Sequence, residues 1–450
     1  MKTRRTNAGA LSLSSMLIVG CAAGVPVSAA DFAYDANLGL GHSDNIRRAS
    51  ANEEDEDIAA AGLRFSLDQR SSRLQADAVG NFSFAEYLND TYDSEVLGNF
   101  AGNARFGFVP QRFEWVMSDN FGQTLSDPFA PVTPDNRENI NYFSTGPDVT
   151  FAFGSQTRLR LGARYSLATY EASPLDFDTT SGEAALLRML SSASNISLNA
   201  RVAQTDYDEA SLDADYDQSE AFLRYDVTGA RTRLAIDLGY TQIDRDAAAD
   251  TEDGLLLRLE VIRRLSAAST ATLAAGREFS NSGSAFAGLQ GVGGIGLGAT
   301  PGLQTAQPFT NDYANLGYDF SRNRTTLGLY ASWRDQSYET ATLLDQTLTS
   351  VGAQVGREMS PRTSLTLHAI YTEADFKLGA DYTDLNGGAG IAWRLSRSVS
   401  VNVTYDYLKR TSDLPAGDSV ENRYWLSIAY GRGTPRTALA GPQFAVDAGS

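Results

Sequence analysis

The chain has 450 residues, an apolar fraction of 42%, a net charge of −18 and a single cysteine. Such a length can bury a large core or line a large barrel. The acidic balance argues against nucleic acid as a partner, and one cysteine excludes an internal disulfide.

The first thirty residues read as an export signal. Lys2, Arg4 and Arg5 form a basic start, Ala10–Val19 an apolar core, and Val27-Ser28-Ala29-Ala30 a small-residue cleavage region. Cleavage near Ala29 or Ala30 would take the net charge from −18 to −21, since residues 1–30 carry three basic and no acidic side chains. A second reading of the same stretch makes Cys21 a lipid anchor, because Ile18-Val19-Gly20-Cys21 resembles a lipobox. No later run approaches the roughly 18 apolar residues that a membrane helix needs.

From Asp31 onward the pattern has a period of two, the period at which strand side chains change face. Leu159, Leu161, Ala163, Tyr165 and Leu167 alternate with Arg158, Arg160, Arg164 and Ser166. Leu234, Ile236, Leu238 and Tyr240 alternate with Arg233, Asp237 and Gly239. Val399, Val401, Val403, Tyr405 and Tyr407 alternate with Ser400, Asn402, Thr404 and Asp406, and Tyr424, Leu426, Ile428 and Tyr430 mark the last strand. Between strands, short and often basic turns take turns with longer, mostly acidic loops. Gln69–Arg73, Gly154–Thr157, Thr228–Arg231, Ser360–Arg362 and Leu395–Ser398 are of the first kind. Ser50–Asp57, Ser126–Glu138, Asp206–Asp217, Asn281–Phe309 and Thr411–Glu421 are of the second.

About nine turns and ten loops predict a single antiparallel up-and-down transmembrane β-barrel of about 20 strands, within a range of roughly 16–22, with both termini in the periplasm. Residues 31–430 are assigned to the barrel and 431–450, rich in Gly, Pro and Ala, to a disordered tail. A β-sandwich would show breaks near every hundred residues and a solenoid a fixed repeat; neither explains the alternation of short and long connections.

The first strand, Leu38-Gly39-Leu40-Gly41-His42-Ser43-Asp44-Asn45-Ile46-Arg47-Arg48, resembles the start of the beta-barrel porin-2 family of proteobacterial outer-membrane proteins. His42 and Ser43 stand where that group usually has Tyr and Asp. The resemblance implies an outer-membrane location and a setting in exopolysaccharide production and secretion.

Strand parity places Arg105, Arg158, Arg160, Arg164, Arg201, Arg224, Arg258 and Arg334 inside, with Asp226, Asp237, Glu260 and Asp406. Of these, Arg158, Arg160, Arg164, Arg201, Arg224, Arg258, Asp237, Glu260 and Arg334 are the expected pore-lining set. They can form a basic path for anionic sugars, or pair across neighbouring strands and stiffen the wall. The aromatics Trp115, Trp333, Trp393 and Trp425 read as interfacial girdles, although Trp425 and Tyr330 have inward parity and could stack on sugars; Phe222, Ile262 and Ile370 also point inward. The acidic runs Glu53–Asp57 and Asp206–Asp217 lack calcium-loop spacing and read as solvated loop surface. The glycine-rich Gly288–Gly296 lacks the Lys-Ser/Thr of a nucleotide loop and suits either a loop folded into the lumen or a free extracellular one.

No catalytic constellation is expected. His42 and His368 are the only histidines, on distant strands and with opposite parity, and no cofactor or metal ligand set is legible. The reading is therefore a porin-like channel, set by the resemblance in exopolysaccharide export. The alternatives are a non-conducting barrel anchoring a polysaccharide assembly and, third, a general diffusion porin. Expected partners are outer-membrane lipid, lipopolysaccharide, exopolysaccharide and secretion components.

Overall fold

The computed structural model describes residues 30–433 except 213, 246–250, 292–301, 339–340 and 415–416. The signal segment with Cys21, most of the glycine-rich loop and the tail beyond residue 433 lie outside the described residues. Twenty strands follow in order: β1 Asp31–Ser43, β2 Glu56–Arg70, β3 Leu74–Tyr87, β4 Glu95–Val109, β5 Phe113–Leu125, β6 Arg137–Phe153 and β7 Thr157–Tyr170. Next come β8 Phe177–Met189, β9 Ser194–Tyr207, β10 Tyr216–Thr228, β11 Thr232–Arg245, β12 Thr251–Ser266 and β13 Ser269–Ser280. The last seven are β14 Phe309–Arg322, β15 Thr325–Ser337, β16 Gln346–Ser360, β17 Thr363–Phe376, β18 Tyr382–Arg394, β19 Val399–Ser412 and β20 Ser419–Arg432. The last strand thus runs two residues beyond the expected end at 430. Among the described residues one α-helix, α1 (Ser282–Gly291), sits in the β13–β14 loop.

Each strand pairs antiparallel with its sequence neighbours, and β1 pairs with β20 from Tyr34↔Arg432 to Ser43↔Arg423. The sheet is therefore closed, which removes the unpaired edges that an open sheet of this size would expose. The expected strand number is the observed one.

Apolar side chains of one parity face outward. Leu38, Leu40, Leu198, Leu238, Leu426 and Ile428 are all at least half exposed, as a lipid-facing surface requires. The other parity is polar and less accessible. Strands of 12–17 residues exceed the 9–11 that cross a bilayer at the usual tilt, so their ends stand clear of the apolar band.

One strand breaks the regular ladder. Pro147 lies within β6, and its missing N–H interrupts the pairing with β7, which resumes only at Asp148↔Gly162. Here the backbones come so close that a Cβ on Gly146 would sit 1.9 Å from the Ala163 carbonyl oxygen. Arg164 supplies the lost donors: its guanidinium donates to the carbonyls of Pro147 (3.1 Å) and Ala163 (2.8 Å) and to Asp148 Oδ1 (2.6 Å). Removing it strands a nearly buried carboxylate and two carbonyls, so Arg164→Ala should destabilise the barrel by about 2–4 kcal/mol. Equilibrium urea unfolding in lipid vesicles measures this, and an unchanged midpoint would contradict the role.

Candidate functional site

The inner wall is built by the polar parity of successive strands. Arg158, Arg160 and Arg164 rise along β7 on the face opposite the exposed Leu161 and Tyr165. Arg160 lies 3.8 Å from Glu183, and Arg164 is committed to Asp148 and the Pro147 defect. On the adjacent arc the charges interlock. Glu220 sits 3.9 Å from Arg201 and 3.1 Å from Arg258; Arg258 also reaches Glu278 (2.5 Å) and Asp237 (3.7 Å). Arg224 bridges Asp226 (3.1 Å) and Asp237 (3.4 Å). Glu220 and Asp237 are buried, and the Arg258 guanidinium lies over the Phe222 ring at 5.6 Å.

Arg160, Arg201, Arg224, Arg258 and Asp237 thus meet charged partners along an arc from β7 to β13, with Glu260 on β12 on the same face, while Arg158 has no carboxylate at ion-pair distance among the described residues. Arg334, on β15 opposite Tyr313, is buried and has no carboxylate at ion-pair distance among the described residues. Taken with Arg105 near Glu114 (3.6 Å), the inner charges are mostly compensated pairs across neighbouring strands. Paired charges of this kind fix the wall's shape and leave little net field along its middle.

The loop-side end of the lumen is packed with apolar and aromatic groups. In the β13–β14 loop, Asn281 caps α1: its Oδ1 accepts from the Ser284 N–H at 2.9 Å, and its amide donates to Tyr216 Oη at 2.8 Å. The helix then projects Phe286, 2% exposed, into a cluster with Ile140, Ala168, Phe177, Tyr207, Tyr216 and Ile243. These come from the loop-side ends of β6 to β11. Farther on, the Leu303 N–H donates to Gln346 Oε1 on β16 (2.8 Å), so the two described ends of this loop engage different parts of the rim.

A second loop enters between β5 and β6. Phe129 packs edge-on against Phe376 with centroids 5.0 Å apart, and the Ala130 carbonyl accepts from Arg410. Arg410, 2% exposed, holds Asp384 through two further bonds (2.8 and 2.7 Å) and stacks over Tyr382 at 3.8 Å. Gly379 has a φ of +103°, and a Cβ there would come within 2.2 Å of the Phe129 ring. Gly379→Ala should therefore cost about 1–3 kcal/mol and loosen this loop. Equilibrium unfolding gives the cost, and protection of Phe129 from limited chymotrypsin digestion reports the loop; unchanged protection would exclude the latch.

A third contribution is the β1–β2 loop, whose Ile46 meets Ile58, Tyr87, Tyr92 and Trp425. Trp425 is thus an inner packing residue, whereas Trp115, Trp333 and Trp393 are exposed on the outer face, as a girdle requires. The two histidines are apart: His42 is outward beside Asp57 (2.9 Å) on the β1–β2 rim, and His368 is inward beside Asp406 (3.2 Å). No three His, Cys, Asp or Glu side chains among the described residues converge on a possible metal position.

Sequence reasoning missed α1, Phe286, Phe129 and Arg410. Asn281 three residues before Ser284 is a helix-start signal that the strand period overshadowed. Nothing local marks Phe129 or Arg410, whose contacts with Phe376 and with the Ala130 carbonyl form only because segments distant in sequence face each other across the mouth.

Residues 301–432 match the model of the family described as Putative beta-barrel porin 2. No curated protein matches the chain. Among solved structures, the siderophore receptor PirA from Pseudomonas aeruginosa is 11% identical, with 89% of this chain and 80% of that one covered at a TM-score of 0.43. The FrpB iron transporter from Neisseria meningitidis is 8% identical, with 92% and 84% covered at a TM-score of 0.46.

Proposed function

We propose, from the premise of an outer-membrane-type, porin-like β-barrel whose residues 301–432 match the porin-2 family model, that this protein is a gated channel of the outer membrane. The carrying observation is the contrast along the lumen: a polar, charge-paired wall through the middle, and inward-folded loops with Phe286 and Phe129 at one end. A polar wall suits a hydrated path, and apolar constrictions gate by excluding water. The cargo is an exported polysaccharide, handed over by secretion components on the turn side, with the acidic loops facing lipopolysaccharide outside. The turns and both termini then lie in the periplasm. Hydrogen-bonding walls and compensated charge let a bulky, hydroxyl-rich polymer slide without being trapped. Catalysis has no part in this reading.

The test is conductance of the refolded barrel in a planar bilayer, with and without an acidic polysaccharide on either side. Brief, low-probability openings blocked by the polymer from the turn side are expected. Conduction unaffected by the polymer would remove the cargo assignment. The packed mouth also favours a second reading, a closed barrel that anchors a polysaccharide assembly; folded protein that never conducts would select it.

A further inference from the structure

We infer that the turn-side end of the lumen carries an anion-binding site, in which Arg362, Arg394 and Arg397 take a carboxylate or phosphate group of a solute entering the barrel. The inference rests on the channel reading and names the chemistry at its inner mouth. A polar cavity of about 210 Å³ opens there on the inner face, beneath the β16–β17 and β18–β19 turns. The three arginines line it together with Ser364, Ser398 and Ser400.

The physical contrast with most mid-lumen arginines is in the pairing; Arg334 also lacks a carboxylate among the described residues, but it is buried and stands alone. Arg160, Arg164, Arg201, Arg224 and Arg258 all have carboxylates within 4 Å. Arg362, Arg394 and Arg397 have none at ion-pair distance among the described residues. Arg394 donates to the Pro361 carbonyl at 3.4 Å, which orients its guanidinium and leaves most of its donors free. Two carboxylates also border the cavity. Asp35 is already engaged by Arg64 at 3.0 Å, so Glu358 alone offsets three guanidiniums.

Guanidinium donors match the oxygen pairs of carboxylates and phosphates, and the serine hydroxyls can add donors to the same oxygens. The arginines are exposed to water, so the site should be weak and salt-sensitive, as a gathering site at the mouth of a path needs to be. The anion affinity that the arginine-rich sequence suggested for mid-lumen is thereby placed at the turn-side end.

Isothermal titration of the refolded full-length barrel in detergent at low salt, with inorganic pyrophosphate in one arm and digalacturonate in the other, tests this without requiring conduction. Saturable binding is expected in at least one arm, and the responding arm identifies the phosphate or carboxylate source. The combined variant Arg362→Gln, Arg394→Gln, Arg397→Gln should weaken binding roughly tenfold. Glu358→Gln should tighten it, and Arg188→Gln, on the outer face, should leave it unchanged. Absence of binding in both arms, or binding indifferent to the triple variant and to Glu358→Gln, would overturn the site. A barrel that binds yet never conducts would overturn the channel reading and leave the site standing.

Discussion

Replacing residues 283–304 by a short glycine-serine linker is expected to raise the conductance of the refolded barrel several-fold and to make its openings long-lived. The wall does not depend on this segment, because β13 and β14 pair as far as Ser280↔Phe309 at the loop end. What the segment supplies is a filling: α1 places Phe286 among six strand ends, and Leu303 ties the returning chain to Gln346. Removing it uncovers Ile140, Phe177 and Tyr207 to water, a cost borne at the rim and not in the ladder. Single-channel recording of wild type and variant decides the matter. An unchanged conductance would shift the constriction to the β5–β6 loop, where Phe129 packs on Phe376 and the Ala130 carbonyl accepts from Arg410. Silence from both folded proteins would favour the anchoring barrel.

Glu421→Ala is expected to cost about 3–5 kcal/mol, the range for removing one partner from a buried charge cluster. Its carboxylate is fully buried and receives Ser43 Oγ at 2.6 Å, Arg48 Nε at 2.9 Å and Arg423 Nε. Around it, Asn422 donates twice to Asp44 (both 2.7 Å), and the Asn45 amide donates to the Val420 carbonyl at 2.9 Å. These bonds join positions separated by about the whole length of the barrel sequence, at the seam where β1 meets β20. Loss of the carboxylate leaves the Arg48 and Arg423 cations facing each other without the partner that both contact. Urea unfolding in lipid vesicles should show the lowered midpoint, and Glu421→Gln, which keeps the hydrogen-bond acceptor, should lose less. A wild-type midpoint for Glu421→Ala would show that the seam is held by the strand ladder alone.

The seam also gives the polar end of the first strand its structural role. Ser43, Asp44, Asn45 and Arg48, at and just past the end of the first strand, are the residues that bind the last strand. Their pattern was visible; their partner was not, because nothing local says that residues near 44 meet residues near 421. Trp425 shows the same limit. Its parity gave its side of the wall, but only the folded β1–β2 loop, with Ile46 and Ile58 beside the ring, makes it a packing residue.

By itself the sequence determined the wall: the twenty strands, their turns and loops, and which side chains face lipid or lumen. Period-two alternation and turn chemistry act over a few residues, and antiparallel neighbours in sequence become neighbours in space. Tertiary structure alone decided what the lumen contains. Whether an inward arginine is a free cation or half of a pair depends on cross-strand register. Arg258 found Glu220, Glu278 and Asp237, whereas Arg362, Arg394 and Arg397 found no carboxylate. Whether a loop stands free or closes the mouth depends on contacts across the barrel, as between Phe129 and Phe376 or between Phe286 and Phe177. Such contacts carry no sequence period, since they join strands that only closure of the sheet brings face to face.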